Sequence, residues 1–489
     1  MVTIDDAGPL GWHRLVVEPR RPESIRRRPN AFWLAVAAVC VGAFMGQLDA
    51  SIVTVALPTL QRTFHASVGA VTWVGLSYLL VLVATVAAVG RFADMWGHKL
   101  LYVYGFGIFI VGSALCGLAP NLGTLIAFRA LQAVGAALLQ ANSVAIVVLA
   151  VPRTSLGKAI GIQGAAQAIG LALGPTVGGF LLAAGGWRLI FFVNVPFGLL
   201  GMIAGLVLIP RSRHLQTRVR FDWTGLSMFF PAVVAVFVAV SFGNSRGWTS
   251  PVILGLFVVG IALVVAFIRR EGRCPEPMLD LGLFRTSRFS AGIASGMLSY
   301  LVMFGVLFLV PFYLERGLRF GSGRAGLELM VMPLALGVTA PVAGRLADLV
   351  GARSLTVGGM VTVSAGLAVL GVLRPSTPVF LLLLVVVGVG LGLFTPPNNA
   401  AIMGSVPPVQ SGLASGVLNM TRGMGTALGL ALTGLVFDVA GGRSSGPVPV
   451  GHAFSITAWF LAAMAAAAGV IAGLREGGPL ERSVAARVE

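Results

Sequence analysis

Gly90-Arg91-Phe92-Ala93-Asp94-Met95-Trp96-Gly97-His98-Lys99 returns 254 positions later as Gly344-Arg345-Leu346-Ala347-Asp348-Leu349-Val350-Gly351-Ala352-Arg353. At almost the same interval, 255, Gly157, Gly161, Gly170 and Gly174 fall on Gly412, Gly416, Gly425 and Gly429. Two blocks in register mark an internal duplication, and long apolar runs frame both decapeptides. Crossing a bilayer takes about 20 apolar residues as an α-helix, whereas a membrane β-barrel would alternate over segments of about 10. The chain has 489 residues, 57% of them hydrophobic and 10% charged, which leaves room for fourteen such helices. The expectation is an all-α polytopic membrane protein, two six-helix bundles plus two inserted helices.

Outward from the repeat, the apolar runs place spans near 31–57, 69–90, 100–119, 122–149, 158–183, 188–209, 223–243, 250–268, 290–314, 325–346, 354–373, 378–403, 409–438 and 453–474. Spans 1–6 repeat as spans 9–14. The chain then divides into an N-terminal tail (1–30), an N-terminal bundle (31–209), an inserted pair with its linkers (210–289), a C-terminal bundle (290–474) and a C-terminal tail (475–489). An even span count puts both tails on one side. Of the 34 Lys and Arg residues, 24 lie in segments on that side, 8 on the other, and Arg129 and Arg422 within spans. Basic residues gather on the cytoplasmic side of such proteins, so both tails are expected in the cytoplasm, at the plasma (inner) membrane. The first run, starting at Ala31, reads as a retained helix, not a removed signal.

Several function classes drop out. A net charge of +17 would suggest nucleic acid in a soluble chain, but no basic soluble module fits between these runs, so no nucleic-acid partner is expected. Three scattered cysteines and five peripheral histidines make neither a disulfide framework nor a metal site. An enzyme needs a convergent nucleophile and base, and the spans carry one deep carboxylate and no histidine, so no catalytic residues are assigned. A phosphate-binding Gly-x4-Gly-Lys-Ser/Thr loop is absent from the sequence, which disfavours nucleotide-driven work. No cofactor is expected.

The repeated decapeptides fall on loops of the tail side. Gly90, Gly97, Gly344 and Gly351 supply chain reversal, and Asp94 and Asp348 either cap the following helix or pair with a neighbour. Lys99 and Arg353 would meet anionic headgroups. An inter-helix latch, made in one conformation and broken in another, is the sharper reading. Parallel repeats with a site at their midplane interface are the basis of alternating access in one large class of transporter.

Asp49 is the acid well inside a span, roughly 13 Å below the outer end of span 1 at 1.5 Å rise per residue. Arg129 enters span 4 to roughly 10 Å, so the two are expected to face each other. A core carboxylate costs roughly 2.5–3.5 kcal/mol on insertion scales and usually marks an ion path; a static pair orienting two helices is the plainer account. Gln47, Gln132, Gln140, Asn142, Gln163, Gln167, Asn398, Asn399 and Asn419 either tie helices together or line a wet cavity. Tyr300, Phe304 and Phe308 form an aromatic stripe that either packs or offers an adaptable surface. Arg422, in place of Gln167 in the repeat, attracts an anionic substrate, lines an aqueous path or tunes a neighbour. The reading adopted places these residues around a substrate cavity, Asn399 apart. Gly170, Gly174 and Gly178 make a ridge for close helix approach, with Pro175 inside it.

These stretches resemble a known family. The decapeptide is similar to the loop signature of the major facilitator superfamily, and Leu48-Asp49-Ala50-Ser51-Ile52-Val53-Thr54-Val55-Ala56-Leu57-Pro58 resembles the first-helix motif of its fourteen-helix drug:proton antiporter branch. Arg129, Gln132, Gly135 and Ala137 resemble that branch's arginine motif. Gly170, Gly174-Pro175 and Gly178-Gly179 resemble its antiporter motif, and Trp187-Arg188, Asn194 and Pro196 also match. Phe92, Met95, His98 and Ala133 depart from it, Met95 and His98 standing where arginines are usual. The resemblance implies a major facilitator fold and proton coupling through Asp49 and Arg129. It implies a proton-gradient-driven multidrug or antibiotic-resistance exporter of drug-like or natural-product molecules, acting as a monomer in the lipid bilayer. A carrier dedicated to one metabolite or lipid, and a sensor without transport, are the alternatives.

Overall fold

The computed structural model describes residues 18–28, 30–212, 221–275, 277–320, 322–373, 377–441 and 447–474. Most of both tails, 1–17 and 475–489, lies outside the described residues. Among the described residues fourteen long helices succeed one another: α1 Ala31–Phe64, α2 Val68–Trp96, α3 His98–Leu118, α4 Leu122–Ala150, α5 Leu156–Gly185, and α6 in two pieces, Arg188–Phe192 and Asn194–Leu208. Then come α7 Trp223–Arg246, α8 Pro251–Glu271, α9 Ser287–Phe312, α10 Val331–Val350, α11 Ala352–Val372, α12 Thr377–Gly404, α13 Ser411–Val439 and α14 Pro447–Gly473. Thirteen are long and apolar enough to span a membrane. The other, α13, has 29 residues but is rich in Gly, Ser and Thr, because it packs inside the protein against α2, α4, α9 and α14. Outward-facing Val, Leu and Phe side chains on the other helices, such as Phe180, Val258 and Val338, suit a lipid solvent.

The duplication is built into the packing. α1 lies on α5 as α9 lies on α13, and α3 on α4 as α11 on α12. Between the halves, α2 meets α13 and α10 meets α5, two contacts that the repeat interchanges. The inserted pair is not a bystander: α7 packs against both α2 and α13 across the seam, while α8 leans on α7 and otherwise presents apolar residues outward. At the entry to α7, Asp222 accepts from Gly225 N at 2.8 Å and from Arg270 Nη2 at 2.9 Å. Burial works against the Asp222 charge, but these donors outweigh it and hold the carboxyl below its ordinary range.

The repeated decapeptide is almost entirely helical, which corrects its reading as a loop. α2 runs through Trp96 and α10 through Val350, and each chain reversal is one glycine, Gly97 at φ 114° and Gly351 at φ 91°. Such φ values are open to glycine and strained for other residues. Gly90 and Gly344 are not turn residues. A Cβ on Gly90 would strike the Gly412 carbonyl, and one on Gly344 the Gly157 carbonyl, well inside van der Waals contact. Both are close backbone approaches of the two halves, at the end of the molecule where the described tail residues lie.

Lys99 also departs from expectation. It is 1% exposed and donates to Pro19 O at 2.8 Å instead of facing headgroups, whereas Arg353 is exposed. Glu18 closes the same corner, accepting from Leu100 N at 3.2 Å and Ser212 N at 2.6 Å. Because backbone meets backbone at Gly90, Gly90→Leu is expected to hold the halves apart at this end. Gly358→Ala, whose Cβ meets nothing within 4 Å, should not. Cysteine cross-linking across the α2–α13 contact measures the difference.

Candidate functional site

The structure brings Asp49 and Arg129 together. Arg129 Nη1 stands 2.8 Å from Asp49 Oδ2, with the two residues 1% and 0% exposed. The other carboxyl oxygen, Oδ1, accepts from Gln132 Nε2 at 3.0 Å and Asn194 Nδ2 at 2.8 Å. Gln132 turns its own Oε1 to Arg129 Nη1 at 2.7 Å. Arg129 also donates through Nε to Val74 O at 3.1 Å, and its guanidinium lies 4.2 Å over the Tyr78 ring. Four helices therefore converge on one charge pair, with α2 beneath the guanidinium. Every group on the carboxyl oxygens is an N–H donor, an arrangement a carboxylate satisfies.

Local sequence explains the convergence. Asn194 begins the second piece of α6, just past the interruption at Val193, and also donates to Ser113 Oγ on α3 at 3.0 Å. Gly112 lets α3 reach the Gln132 backbone, and Gly170 and Gly174 of α5 press on α1 at Phe44, Leu48 and Ser51, one helix face behind Asp49. Gly178 meets Ile52, Gly179 meets nothing within 4 Å, and α5 runs unbroken through Pro175. The cluster is sealed in this conformation, with Asp49 and Arg129 both fully buried. The second half has no counterpart: Leu301, Val302 and Met303 on α9 and Leu384 on α12 fill the corresponding region with buried apolar side chains.

A second arrangement sits at the tail end. Asp94 Oδ1 and Oδ2 accept from Gly412 N and Leu413 N, both at 2.8 Å, in the first turn of α13. Asp348 accepts from Gly157 N at 2.8 Å and Lys158 N at 3.0 Å, in the first turn of α5. The carboxylates do not cap the helices that follow them. Each one satisfies free N–H groups at a helix start in the opposite half, where the helix dipole also favours negative charge. The two latches are unequal, since Asp94 is fully buried and Asp348 partly exposed. His98 adds to the first: its Nε2 is 3.4 Å from Asp94 Oδ1, and its Nδ1 is 2.9 Å from Asn142 Oδ1. Ala352 stands at its place in the second.

The residues expected around one cavity do not all share one place. Gln132 belongs to the Asp49 cluster and Asn142 to the Asp94 latch, neither to a cavity wall. Gln163 ties α5 to α4 through Ser143 Oγ at 3.0 Å, while Gln47, Gln140 and Gln167 are half-buried. Tyr300, Asn398 and Arg422 do share a pocket, among α9, α12 and α13, of about 10 Å³, and Asn399, not expected there, lines it too. Phe304 stacks on Tyr300 at 6.2 Å, and Phe308 packs on Phe312 at 4.9 Å. Asn194, Ser113 and Tyr78 received no role from the sequence. Asn194 follows a Trp-Arg pair at a helix start and was visible as a polar residue in an apolar run; nothing local singles out Ser113 or Tyr78. Among the described residues no group of three or more metal-ligating side chains occurs.

Comparison with known proteins follows the same lines. The sequence matches the family described as the Major Facilitator Superfamily over residues 39–277 and 292–487. It is 36% identical over 401 residues to the riboflavin transporter RibZ of Clostridioides difficile, covering 82% of this chain and 87% of that one. It is 35% identical over 408 residues to the multidrug resistance protein Stp of Mycobacterium tuberculosis, covering 82% and 75%. Among solved structures, the proton:xylose symporter XylE superposes with a TM-score of 0.65 at 14% identity, covering 90% of this chain and 95% of that one.

Proposed function

The chain belongs to the major facilitator superfamily, and from that premise we propose that it is an exporter of drug-like or natural-product molecules, exchanged for protons by alternating access. It would be a fourteen-helix drug:proton antiporter in the plasma membrane, with both tails cytoplasmic and the two halves rocking about a central cavity. The observation that carries this reading is the Asp49–Arg129 pair, buried at 0% and 1% exposure in one half and replaced by apolar residues in the other. Packing alone does not require a charge pair at that depth, and ionisable residues inside a membrane usually mark ion or proton paths. Protonation of Asp49 would loosen its hold on Arg129, Gln132 and Asn194, freeing α1 from α4 and α6. The Asp94 and Asp348 latches would close the cytoplasmic end in the state described and release in the other. The protein acts as a carrier, not an enzyme, and needs no nucleotide.

Similarity to a multidrug resistance protein supports breadth of substrate; similarity to a riboflavin transporter supports the second reading, a carrier dedicated to one compound. Proteoliposomes with an imposed pH gradient and a panel of unrelated dyes separate them. Export of several dyes that stops when the gradient is collapsed is the expected result. Movement of a single compound would establish the dedicated carrier, and movement indifferent to pH would remove the proton coupling.

A further inference from the structure

Arg422 lies on α13 eleven residues past its start at Ser411, roughly 16 Å along the helix and hence near mid-membrane. Its side chain is 7% exposed, and among the described residues no carboxylate stands within 4 Å of it. Arg129, 1% exposed, has Asp49; Arg422, among the described residues, has neutral neighbours. Asn419 Oδ1 accepts from Nη1 at 3.2 Å, and the Tyr300 ring centroid is 5.2 Å from the guanidinium carbon. Asn419 is itself pinned, donating to Gln140 O at 3.0 Å and Ser415 O at 2.9 Å, so its amide oxygen is fixed toward the arginine. A guanidinium has five N–H donors in a rigid fork, and most of these are unspent.

The unspent donors border the pocket among α9, α12 and α13, where Asn398, Asn399 and Thr421 add polar groups and Phe394 and Leu418 apolar ones. At about 10 Å³ it has room for about one water. A buried cation held in place by neutral groups, with the counter-charge missing, is a site arranged to receive an anion from outside the protein. The aromatic residues beside it define the rest of the guest. Tyr300, Phe304 and Phe308 follow one another at every fourth position of α9, half-buried, beginning at the guanidinium.

We propose that Arg422 binds the acidic group of an anionic aromatic substrate, its carboxylate or sulfonate on the guanidinium and its rings along Tyr300, Phe304 and Phe308. This rests on the transporter reading for its physiological meaning but not for its test. The halves then divide the work: the N-terminal half neutralises its own buried charge, and the C-terminal half leaves one for the substrate.

The test is equilibrium binding to the purified full chain in detergent, before any transport is measured. Probes are three aromatic acids (carboxyfluorescein, naphthalene-2-sulfonate, salicylate) and two aromatic cations (ethidium, rhodamine 6G), read by fluorescence polarisation or thermal shift. In Arg422→Gln, the acids are expected to weaken at least tenfold and the cations to tighten, while the unliganded melting temperature stays level or rises. Arg422→Lys should recover part of the acid affinity. The proposal is overturned if acids and cations weaken together with a lowered melting temperature, the sign of a structural arginine. It is equally overturned if none of the acids binds the parent chain more tightly than Arg422→Gln. Arg422-dependent binding of acids without pH-driven movement would leave this inference standing and remove the exporter reading instead.

Discussion

Asp49→Asn is expected to lower pH-gradient-driven efflux at least a hundredfold and, separately, to destabilise the protein. The two losses have different origins. On the proposed coupling, asparagine cannot carry the proton, so efflux fails whatever the fold does. It also leaves the Arg129 guanidinium buried at 1% exposure without its counter-charge, and breaking a buried pair by removing one partner costs about 3–5 kcal/mol. The double variant Asp49→Asn, Arg129→Gln removes both charges and should regain most of the stability, because the desolvation cost disappears with the attraction. Efflux should stay lost. Melting temperature and initial efflux rate, measured on parent, single and double variants, thus separate the two roles of one residue. Recovery of efflux together with stability in the double variant would make the cluster a static clamp of α1, α4 and α6 and would sink the coupling proposal.

Asp94→Ala is expected to open the tail end, and Asp348→Ala to do so less. Asp94 makes two charge-assisted bonds to Gly412 N and Leu413 N at 2.8 Å, fully shielded from water, with His98 beside it. Hydrogen bonds to a charged group contribute about 1.5–3 kcal/mol each. Losing even one such contribution would shift the closed population roughly 10- to 100-fold, at 1.4 kcal/mol per factor of ten. Asp348 makes the same two bonds but is half-exposed, so water replaces part of what is lost. Spin labels at Trp96 and Val409, in a chain with Cys40, Cys116 and Cys274 replaced, would report the separation of α2 from the start of α13. An Asp94→Ala distance distribution identical to that of the parent would refute the latch.

The particular residues show where sequence reading reaches its end. Asp49 and Arg129 could be paired on depth alone, because helical rise converts residue number into position along the membrane normal. Rotation about the helix axis is a different coordinate. Gln132 and Asn142 are both polar residues of the same helix, ten positions apart, yet one turns to Asp49 and the other to His98. They stand roughly 15 Å apart along the helix, and which side chain waits at each depth is decided by the helices that pack there. Of the two roles open to Asp94, capping the next helix or pairing with a neighbour, the first is not taken: it serves a helix start 318 positions away, with His98 beside it, since the free N–H groups it satisfies belong to whichever helix start the fold delivers.

Fold class, duplication and the rarity of buried charge were written in the amino-acid order, because hydrocarbon solvent forces every span to be a self-satisfied apolar helix and leaves each exception visible. Which half holds its charge neutral and which keeps an unmatched arginine was settled by packing: glycines at Gly90, Gly112, Gly174 and Gly412 let backbones touch, and only contact brings distant side chains to one point. A chain specifies local preference residue by residue, whereas a site is a set of distances between helices, and those exist only once the helices have closed on one another.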